Sequence, residues 1–251
     1  MSYYNGLKLE VDLYMSNKKT FADYILQFNR ELDLYEFVLP KKYSIINPFT
    51  GPQKEKISFI STKFYKKFYN DTVPRRLILG SSPARRGSAV TGIPFEDSMH
   101  LEKITGIKIN DFLINKSSSD FLYQVISEFG GFDAFYARFY MNFVCPLGIV
   151  RTNEKGNEVN CNYYETKSLK EALRPFIISS IRKQINFGLD TSICYCIGSG
   201  ENFKFLEEIN AENSFFNKII PLEHPRYITQ YNSKNKTFYM QKYIDAFNTK
   251  S

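Results

Sequence analysis

The apolar and polar positions along the chain follow two spacings, which predict helices and strands. Apolar side chains recur at helical spacing after Asn17 and again from Ile57 to Phe68, as expected for amphipathic helices over residues 18–34 and 57–68. Further helical stretches are predicted at 98–105, 119–129, 167–187 (bent at Pro175) and 201–210. Four short apolar runs between them predict strands at Leu77–Leu79, Met141–Val144, Ser192–Ile197 and Lys218–Leu222.

Strands that alternate with helices are typical of a parallel sheet covered by helices on both faces. We therefore predict an α/β protein with three layers, α/β/α, around a central, mostly parallel four-stranded sheet, in a single domain over residues 1–251. Functional loops of such sheets gather at the carboxyl ends of the strands. Here those loops are GSSPARRG, CPLG, GSGEN and EHPRY, whereas the Asn-Pro and Gly-Pro steps of YSIINPFTGP predict an ordered loop.

The net charge bounds the class of partner. The chain has 251 residues, enough for one substantial core, and a formal charge of +7. That excess is compatible with a polyanionic partner but does not require one, so a solvated basic face stays an alternative. The basic residues cluster around a glycine-rich stretch and near the C-terminus: Lys63, Lys66, Lys67, Arg75, Arg76, Arg85, Arg86, Lys234, Lys236 and Lys242.

The sequence also bears on the compartment. No apolar run reaches the length of a membrane span, and the N-terminal residues lack the hydrophobic segment of a signal peptide. We therefore expect an intracellular, cytoplasmic protein with no membrane partner. In a reducing compartment Cys145, Cys161, Cys194 and Cys196 are expected as free thiols. No metal site is expected, because there is no CxxC pair and the spacing fits no ligand pattern.

The stretch LGSSPARRGSAVTGIPF, residues 79–95, concentrates glycines and arginines directly after a predicted strand. Gly80, Gly87 and Gly92 would let backbone amides approach a sugar and its phosphates, because glycine has no side chain in the way. Arg85 and Arg86 would add charge-assisted contacts to the phosphates. Alternatively, the glycines only form a tight turn between a strand and a helix.

Four motifs in order carry a resemblance to a known family. G-S-S-P with T-G-I-P-F, then N-F-V-C-P-L-G, I-G-S-G and H-P-R resemble the uracil-DNA glycosylase superfamily, most of all the single-strand-selective monofunctional (SMUG) family and its bacterial relatives. The resemblance extends from about Tyr43, where SIINPF is similar to a family Asn-Pro loop, to the C-terminal helix. It implies the α/β fold above and a monofunctional DNA glycosylase of base excision repair that excises uracil or a related deaminated base. It also implies damaged DNA, single- or double-stranded, as partner, no cofactor, a monomer and a bacterial, cytoplasmic location.

The resemblance assigns base-binding roles to Gly80, Phe95 and Asn142. Phe95 occupies the position of the family's stacking phenylalanine and would form a wall against the flipped base. Asn142 precedes the CPL turn, where a family asparagine reads the Watson–Crick edge of uracil. The family usually has one residue between this asparagine and the cysteine, whereas this chain has Phe143 and Val144. Either a bulge restores the contact or base reading has changed.

The resemblance also assigns roles near the end of the chain. His224 matches a family histidine that hydrogen-bonds the O2 atom of the departing base and stabilises its negative charge. A structural histidine that caps a strand end is the alternative. Arg226 and Tyr227 occupy the place where the family presses a wedge into the duplex, and Arg226 is expected to contact DNA.

The sequence departs from the family at Ser82. The catalytic water of the family is usually positioned by asparagine or aspartate in the third place of G-x-N-P or G-x-D-P. Serine can hold a water but is a poorer base and reaches less far. Glu96 and Asp97 directly follow TGIPF and are candidate helpers, or else solvated acids at a helix start.

Three functions are therefore compatible with the sequence. The first is an active DNA glycosylase in which Ser82 and His224 are catalytic. The second is a nucleic-acid-binding member of the fold with weak or lost catalysis. A small-nucleotide enzyme is less favoured, because no Gly-Lys-Ser/Thr follows the glycine loop and the basic residues spread beyond the reach of one ligand.

Overall fold

The structure is a computed structural model that describes residues 18–109 and 119–250. Residues 1–17, on which the expectation of no signal peptide rests, lie outside the described residues. The helices are α1 (Phe21–Glu31), α2 (Lys54–Phe68), α3 (Ser88–Thr91), α4 (Ser98–Thr105), α5 (Ser119–Glu128), α6 (Phe132–Tyr136), α7 (Lys167–Ile185), α8 (Glu201–Asn213), α9 (Pro225–Tyr231) and α10 (Lys236–Phe247). The strands are β1 (Tyr43–Ile46), β2 (Arg76–Gly80), β3 (Phe139–Phe143), β4 (Gly148–Thr152), β5 (Glu158–Cys161), β6 (Asp190–Ile197) and β7 (Lys218–Leu222).

The central sheet has four parallel strands in the order β3-β2-β6-β7, which confirms the predicted fold class. Strand β2 lies in the interior of the sheet, and Leu77, Ile78 and Leu79 are fully buried, as expected for a parallel strand covered on both faces. Strand β7 lies at an edge, where Pro221 costs no hydrogen bond to a further strand. All four predicted strands are confirmed.

The predicted helices are confirmed as well, and their ends follow from capping residues. Thr20 begins α1 by accepting a hydrogen bond from the Asp23 amide, while the Asp23 carboxylate accepts from the Thr20 amide. Asp97 caps α4 by accepting from the His100 amide at 3.0 Å. Helix α7 continues through Pro175.

A second, antiparallel sheet of three strands, in the order β1-β4-β5, was not predicted. The predicted loop YSIINPFTGP begins with strand β1, so that prediction is wrong for Tyr43–Ile46. Gly148, which begins β4, explains how this sheet approaches the glycine loop. A Cβ atom on Gly148 would lie 2.8 Å from Ala89 and 3.3 Å from the Pro83 carbonyl. The second sheet therefore packs directly against the loop that follows β2.

The buried apolar side chains form a core that extends from Phe21 to Phe247. Its four cysteines are free and buried, as predicted for Cys145, Cys161, Cys194 and Cys196. Within residues 18–109 and 119–250, no helix combines the length and the hydrophobicity that a membrane crossing needs.

Candidate functional site

The carboxyl ends of the parallel strands open into a cleft of about 740 Å³. Of the predicted site residues, the cleft is lined by Ser82, Arg85, Arg86, Gly87, Phe95, His224 and Arg226. Gly80, Gly92 and Asn142 are not in its lining. The CPLG loop is buried and does not line the cleft, whereas segment 158–164, which comprises strand β5 and the three residues after it, adds side chains that sequence reasoning missed.

The structure explains the glycine at position 80 by the packing of nearby side chains. A Cβ atom there would lie 2.7 Å from the Phe95 ring and 2.8 Å from the Phe143 ring. Gly92 has a positive φ of 70°, and a Cβ on it would lie 2.3 Å from the Phe49 ring. Both glycines therefore make room for aromatic rings of the protein itself.

Phe95 is held in a conformation that bulky residues rarely adopt. Its φ is +59°, and its amide donates a hydrogen bond to Ser88 Oγ at 2.9 Å. Its ring lies 5.3 Å from the Phe143 ring with an interplanar angle of 31°. Such backbone strain costs about 1–3 kcal/mol and persists where the surroundings fix it, as they do at binding sites. The cleft thus contains two aromatic surfaces, Phe95 and Phe143.

Asn142 does not face the cleft. Its amide donates to the Tyr140 hydroxyl at 2.8 Å and to Gln184 Oε1 at 2.7 Å, on the other face of the sheet. Side chains alternate along a strand, so Phe143 is the residue that β3 presents to the cleft. The additional residue before Cys145 shifts the register by one, so the side chain of Asn142 is directed away from the cleft and does not fit the predicted role of base reader.

Two asparagines hold the glycine loop, Asn160 in strand β5 and Asn162 directly after it. Asn160 Oδ1 accepts from the Arg85 amide at 2.7 Å. Asn162 Oδ1 accepts from the hydroxyls of both Ser81 and Ser82, at 2.9 and 3.1 Å. The alternation of VNCN would have placed both asparagines on one face of a strand, but strand β5 itself was not predicted.

His224 lies at the start of α9 and turns one ring nitrogen toward its own helix. Its Nδ1 accepts from the Arg226 amide at 3.1 Å. Because a backbone amide only donates, Nδ1 carries no proton and the neutral ring is protonated at Nε2. Burial, followed by the charge of Arg226, lowers the pKa of His224 to about 4. The histidine therefore offers a neutral N–H donor near pH 7.

Glu96 and Asp97 are buried, so the expectation of solvated acids at a helix start is wrong for both. Glu96 is 4% exposed and accepts from the Tyr136 hydroxyl at 3.0 Å, and its other oxygen bonds the Tyr123 hydroxyl. Burial is the main cause that raises the pKa of Glu96 to about 8, against the opposite effect of the Tyr136 hydrogen bond. Asp97 is fully buried and accepts from the Ser119 hydroxyl at 2.8 Å. The cleft thus contains a neutral carboxylic acid beside Phe95.

Glu96→Gln is expected to make the protein more stable than the natural protein, by an amount that grows as the pH rises. The unfolded carboxyl ionises near 4.5 and the folded one near 8. The contribution of neutral Glu96 is thus complete below pH 4.5 and is lost as the pH rises to 8. Glutamine keeps the size and stays neutral, so its advantage in unfolding free energy should grow on the order of 4 kcal/mol between pH 4 and pH 8.

Urea unfolding at several pH values measures this difference. Glu128→Gln, at an exposed position at the end of α5, is the control and should keep the pH dependence of the natural protein. Equal pH dependence of Glu96→Gln and the natural protein would show that Glu96 is ionised in the folded state.

Several basic residues named in the sequence analysis are engaged elsewhere. Arg75 is 1% exposed and forms an ion pair with Asp71 at 2.7 Å. Arg76, at the amino end of β2, pairs with Asp190 at 3.0 Å. Lys66 likewise pairs with an aspartate, at 2.7 Å. The basic face is therefore smaller than the sequence suggested.

Three arginines, Arg85, Arg86 and Arg226, line the cleft. Arg86 is exposed and forms no ion pair with the residues that the structure describes. Arg85 lies 3.9 Å from Glu158, a loose pair, and exposed Arg226 donates to Gln230. No group of His, Cys, Asp and Glu side chains in the described ranges could hold a metal ion.

Comparisons with known proteins show which family and which solved structure the chain is similar to. The family model described as the uracil DNA glycosylase superfamily matches residues 66–248. Among solved structures, the crystal structure of wild-type SMUG2 from Pedobacter heparinus is 45% identical, with a TM-score of 0.86, over 92% of this chain and 97% of that one. No curated protein matches the chain.

Proposed function

Because the chain belongs to the uracil DNA glycosylase superfamily, we propose that it is a monofunctional glycosylase that excises uracil or a related deaminated base from DNA. The observation that carries the proposal is the joint presence of Phe95, Ser82 and a neutral His224 in one cleft. Excision inside DNA requires a pocket that admits the extruded nucleotide, and the cleft volume of about 740 Å³ is sufficient for a base and its sugar.

The base is expected to stack against the aromatic surface of Phe95 and Phe143. Base–aromatic stacking contributes about 1–3 kcal/mol per base and offsets the cost of extrusion. The strained backbone of Phe95 supports a binding role, because the surrounding structure holds the ring in place before any ligand arrives. The proposal gives the two rings the task of positioning the base, without a reader on strand β3.

In the reaction, the bond between C1′ of deoxyribose and the base nitrogen breaks, and its electron pair leaves with the base. His224 Nε2–H donates to the departing base and stabilises the anion, while a water adds to the cationic C1′. The proton that the water loses ends on the base. The products are an abasic site with a C1′ hydroxyl and a neutral free base, so that no cofactor is needed.

The DNA backbone is expected to follow the rim formed by Arg86, Arg226 and the exposed rings of Tyr227 and Tyr231. The arginines would contact phosphates and the rings would contact sugars and bases. The neutral state of Glu96 fits this interface, because a buried carboxylate beside the pocket would repel the phosphates. We propose that the protein acts on DNA as a monomer.

Arg86→Glu is expected to weaken DNA binding about tenfold or more at 100 mM salt, equally for all sequences, and to reduce the slope of log K against log salt. Arg85→Glu should weaken binding less, because Arg85 is partly neutralised by Glu158. Lys218→Glu is the control, since this exposed lysine lies at the amino end of β7 and does not line the cleft. Fluorescence anisotropy with a labelled oligonucleotide measures binding. If Arg86→Glu and Lys218→Glu weakened DNA binding equally, the loss would reflect the change in net charge and not a contact of Arg86 with DNA.

A lesion panel tests the proposed reaction. Single- and double-stranded oligonucleotides with one deaminated base each are incubated with the protein, and strand scission at the resulting abasic sites is measured. Excision of at least one lesion supports the proposal. DNA binding without excision of any lesion would favour the alternative of a binding protein, which the serine at position 82 keeps open.

A further inference from the structure

Ser81 and Ser82 direct their hydroxyls at the same acceptor. Both donate to Asn162 Oδ1, at 2.9 and 3.1 Å. A serine hydroxyl has one proton and two lone pairs, and on a mobile side chain it both donates and accepts. Here the proton of Ser82 is committed to Asn162. Its lone pairs are then what the Ser82 hydroxyl can offer to a molecule in the cleft.

Ser82 and Asn162 come from different parts of the fold and meet in the cleft. Ser82 follows the central strand β2, whereas Asn162 follows β5 of the second sheet, and both line the cleft. Asn160, two residues earlier, binds the same loop through the Arg85 backbone amide, whereas the hydroxyls of both serines donate to Asn162. One asparagine thus fixes the path of the loop, and the other fixes the hydroxyls.

We propose that Asn162 is a positioning residue that turns Ser82 into a fixed acceptor for the attacking water. This inference rests on the proposed function. The water donates one proton to Ser82 Oγ in a hydrogen bond, which turns an oxygen lone pair toward C1′. An amide or carboxylate oxygen in place of Ser82 can only accept such a bond, whereas a serine can also donate to the water, and it is held as an acceptor when its own proton is bound by another group.

The step balances without a strong base. The water oxygen bonds to C1′ as the bond to the base nitrogen breaks, and the electron pair of that bond stays on the base. The proton shed by the water ends on the base anion. Ser82 and Asn162 keep their protons throughout, so their contribution is orientation, and removing it should cost about tenfold in rate.

The test is a double-mutant cycle on single-turnover excision, measured with enzyme in excess over an oligonucleotide that the natural protein cleaves. Asn162→Ala and Ser82→Ala should each lower the rate about tenfold and change DNA affinity less than twofold. The double variant should be no more than about twofold slower than either single variant, because both remove the same interaction. Asn162→Asp keeps an oxygen acceptor for both serines and should retain most of the rate.

Asn160→Ala is the matched control, because it loosens the same loop and leaves the hydroxyls in place. Its effect should add to that of Ser82→Ala rather than overlap with it. The inference is overturned if Asn162→Ala is fully active, or if its effect and that of Ser82→Ala are additive. Full activity of Ser82→Ala overturns it too, even if Asn162→Ala does not fold. A natural protein that excises no lesion would instead contradict the proposed function.

Discussion

His224→Ala should lower the single-turnover rate of base excision by about 100-fold or more with little change in DNA affinity. Removal of one donor that stabilises a developing anion costs about 3–4 kcal/mol in a preorganised site. The donor is neutral, because burial lowers the pKa of His224 to about 4. The contribution of His224 to the rate should therefore not fall as the pH rises from 6 to 8, as it would for a charged imidazolium.

His224 has a second role that the experiment must separate. Its Nδ1 caps helix α9, and the loss of a helix cap costs about 1 kcal/mol in stability. His224→Ser is the matched variant, because serine caps a helix well but cannot place a donor where Nε2 lies. We expect this variant to fold with nearly natural stability and still to lose the activity. Full excision by His224→Ser would show that the cap alone matters.

The pattern of apolar residues was sufficient to predict the central sheet. The four predicted strands are continuous apolar runs, and buried parallel strands have this composition because both of their faces are covered. The second sheet was missed because its strands are short and partly exposed. Strand β1 also runs directly into the Asn-Pro turn that dominated its prediction.

The candidate site was predictable in part. Ser82, Phe95 and His224 follow strands or motifs along the chain, so their meeting at one edge of the sheet could be inferred. The role of Asn162 could not be inferred, because its hydrogen bonds to the two serines join positions 81 and 80 residues apart, on loops that follow strands of different sheets. The face of the sheet toward which the Asn142 side chain points could not be predicted either, because a shift of one residue in register reverses the face of every side chain in a strand.

The burial of individual polar side chains could not be predicted from the sequence either. Glu96 directly follows Phe95, and an acid at a helix start is ordinarily solvated. In the folded protein it lies between two tyrosine hydroxyls, from Tyr123 and Tyr136, and is 4% exposed. Both tyrosines come from segments distant in sequence, so neither the burial nor the raised pKa could be read from the local pattern.

Gly80→Ala should reduce excision at least tenfold and destabilise the fold by about 1–3 kcal/mol, the usual cost of excess volume in a packed region. Its new methyl group would lie 2.7 Å from the Phe95 ring and 2.8 Å from the Phe143 ring. The backbone cannot retreat easily, because the Gly80 carbonyl accepts from the Val144 amide at 2.8 Å. The rings must therefore move, and they are the surface against which we expect the base to stack.

Gly51→Ala is the control, because a Cβ there has nothing within 4 Å, and it should leave both activity and stability nearly unchanged. Phe143→Ala provides the decisive comparison. In the natural protein it removes buried ring contacts and destabilises the fold, but in the Gly80→Ala background it also removes one of the two clashes. Its cost in unfolding free energy should then be smaller by about 1 kcal/mol or more. Equal costs in the two backgrounds would show that the glycine serves something other than the rings, such as the approach of the DNA backbone itself.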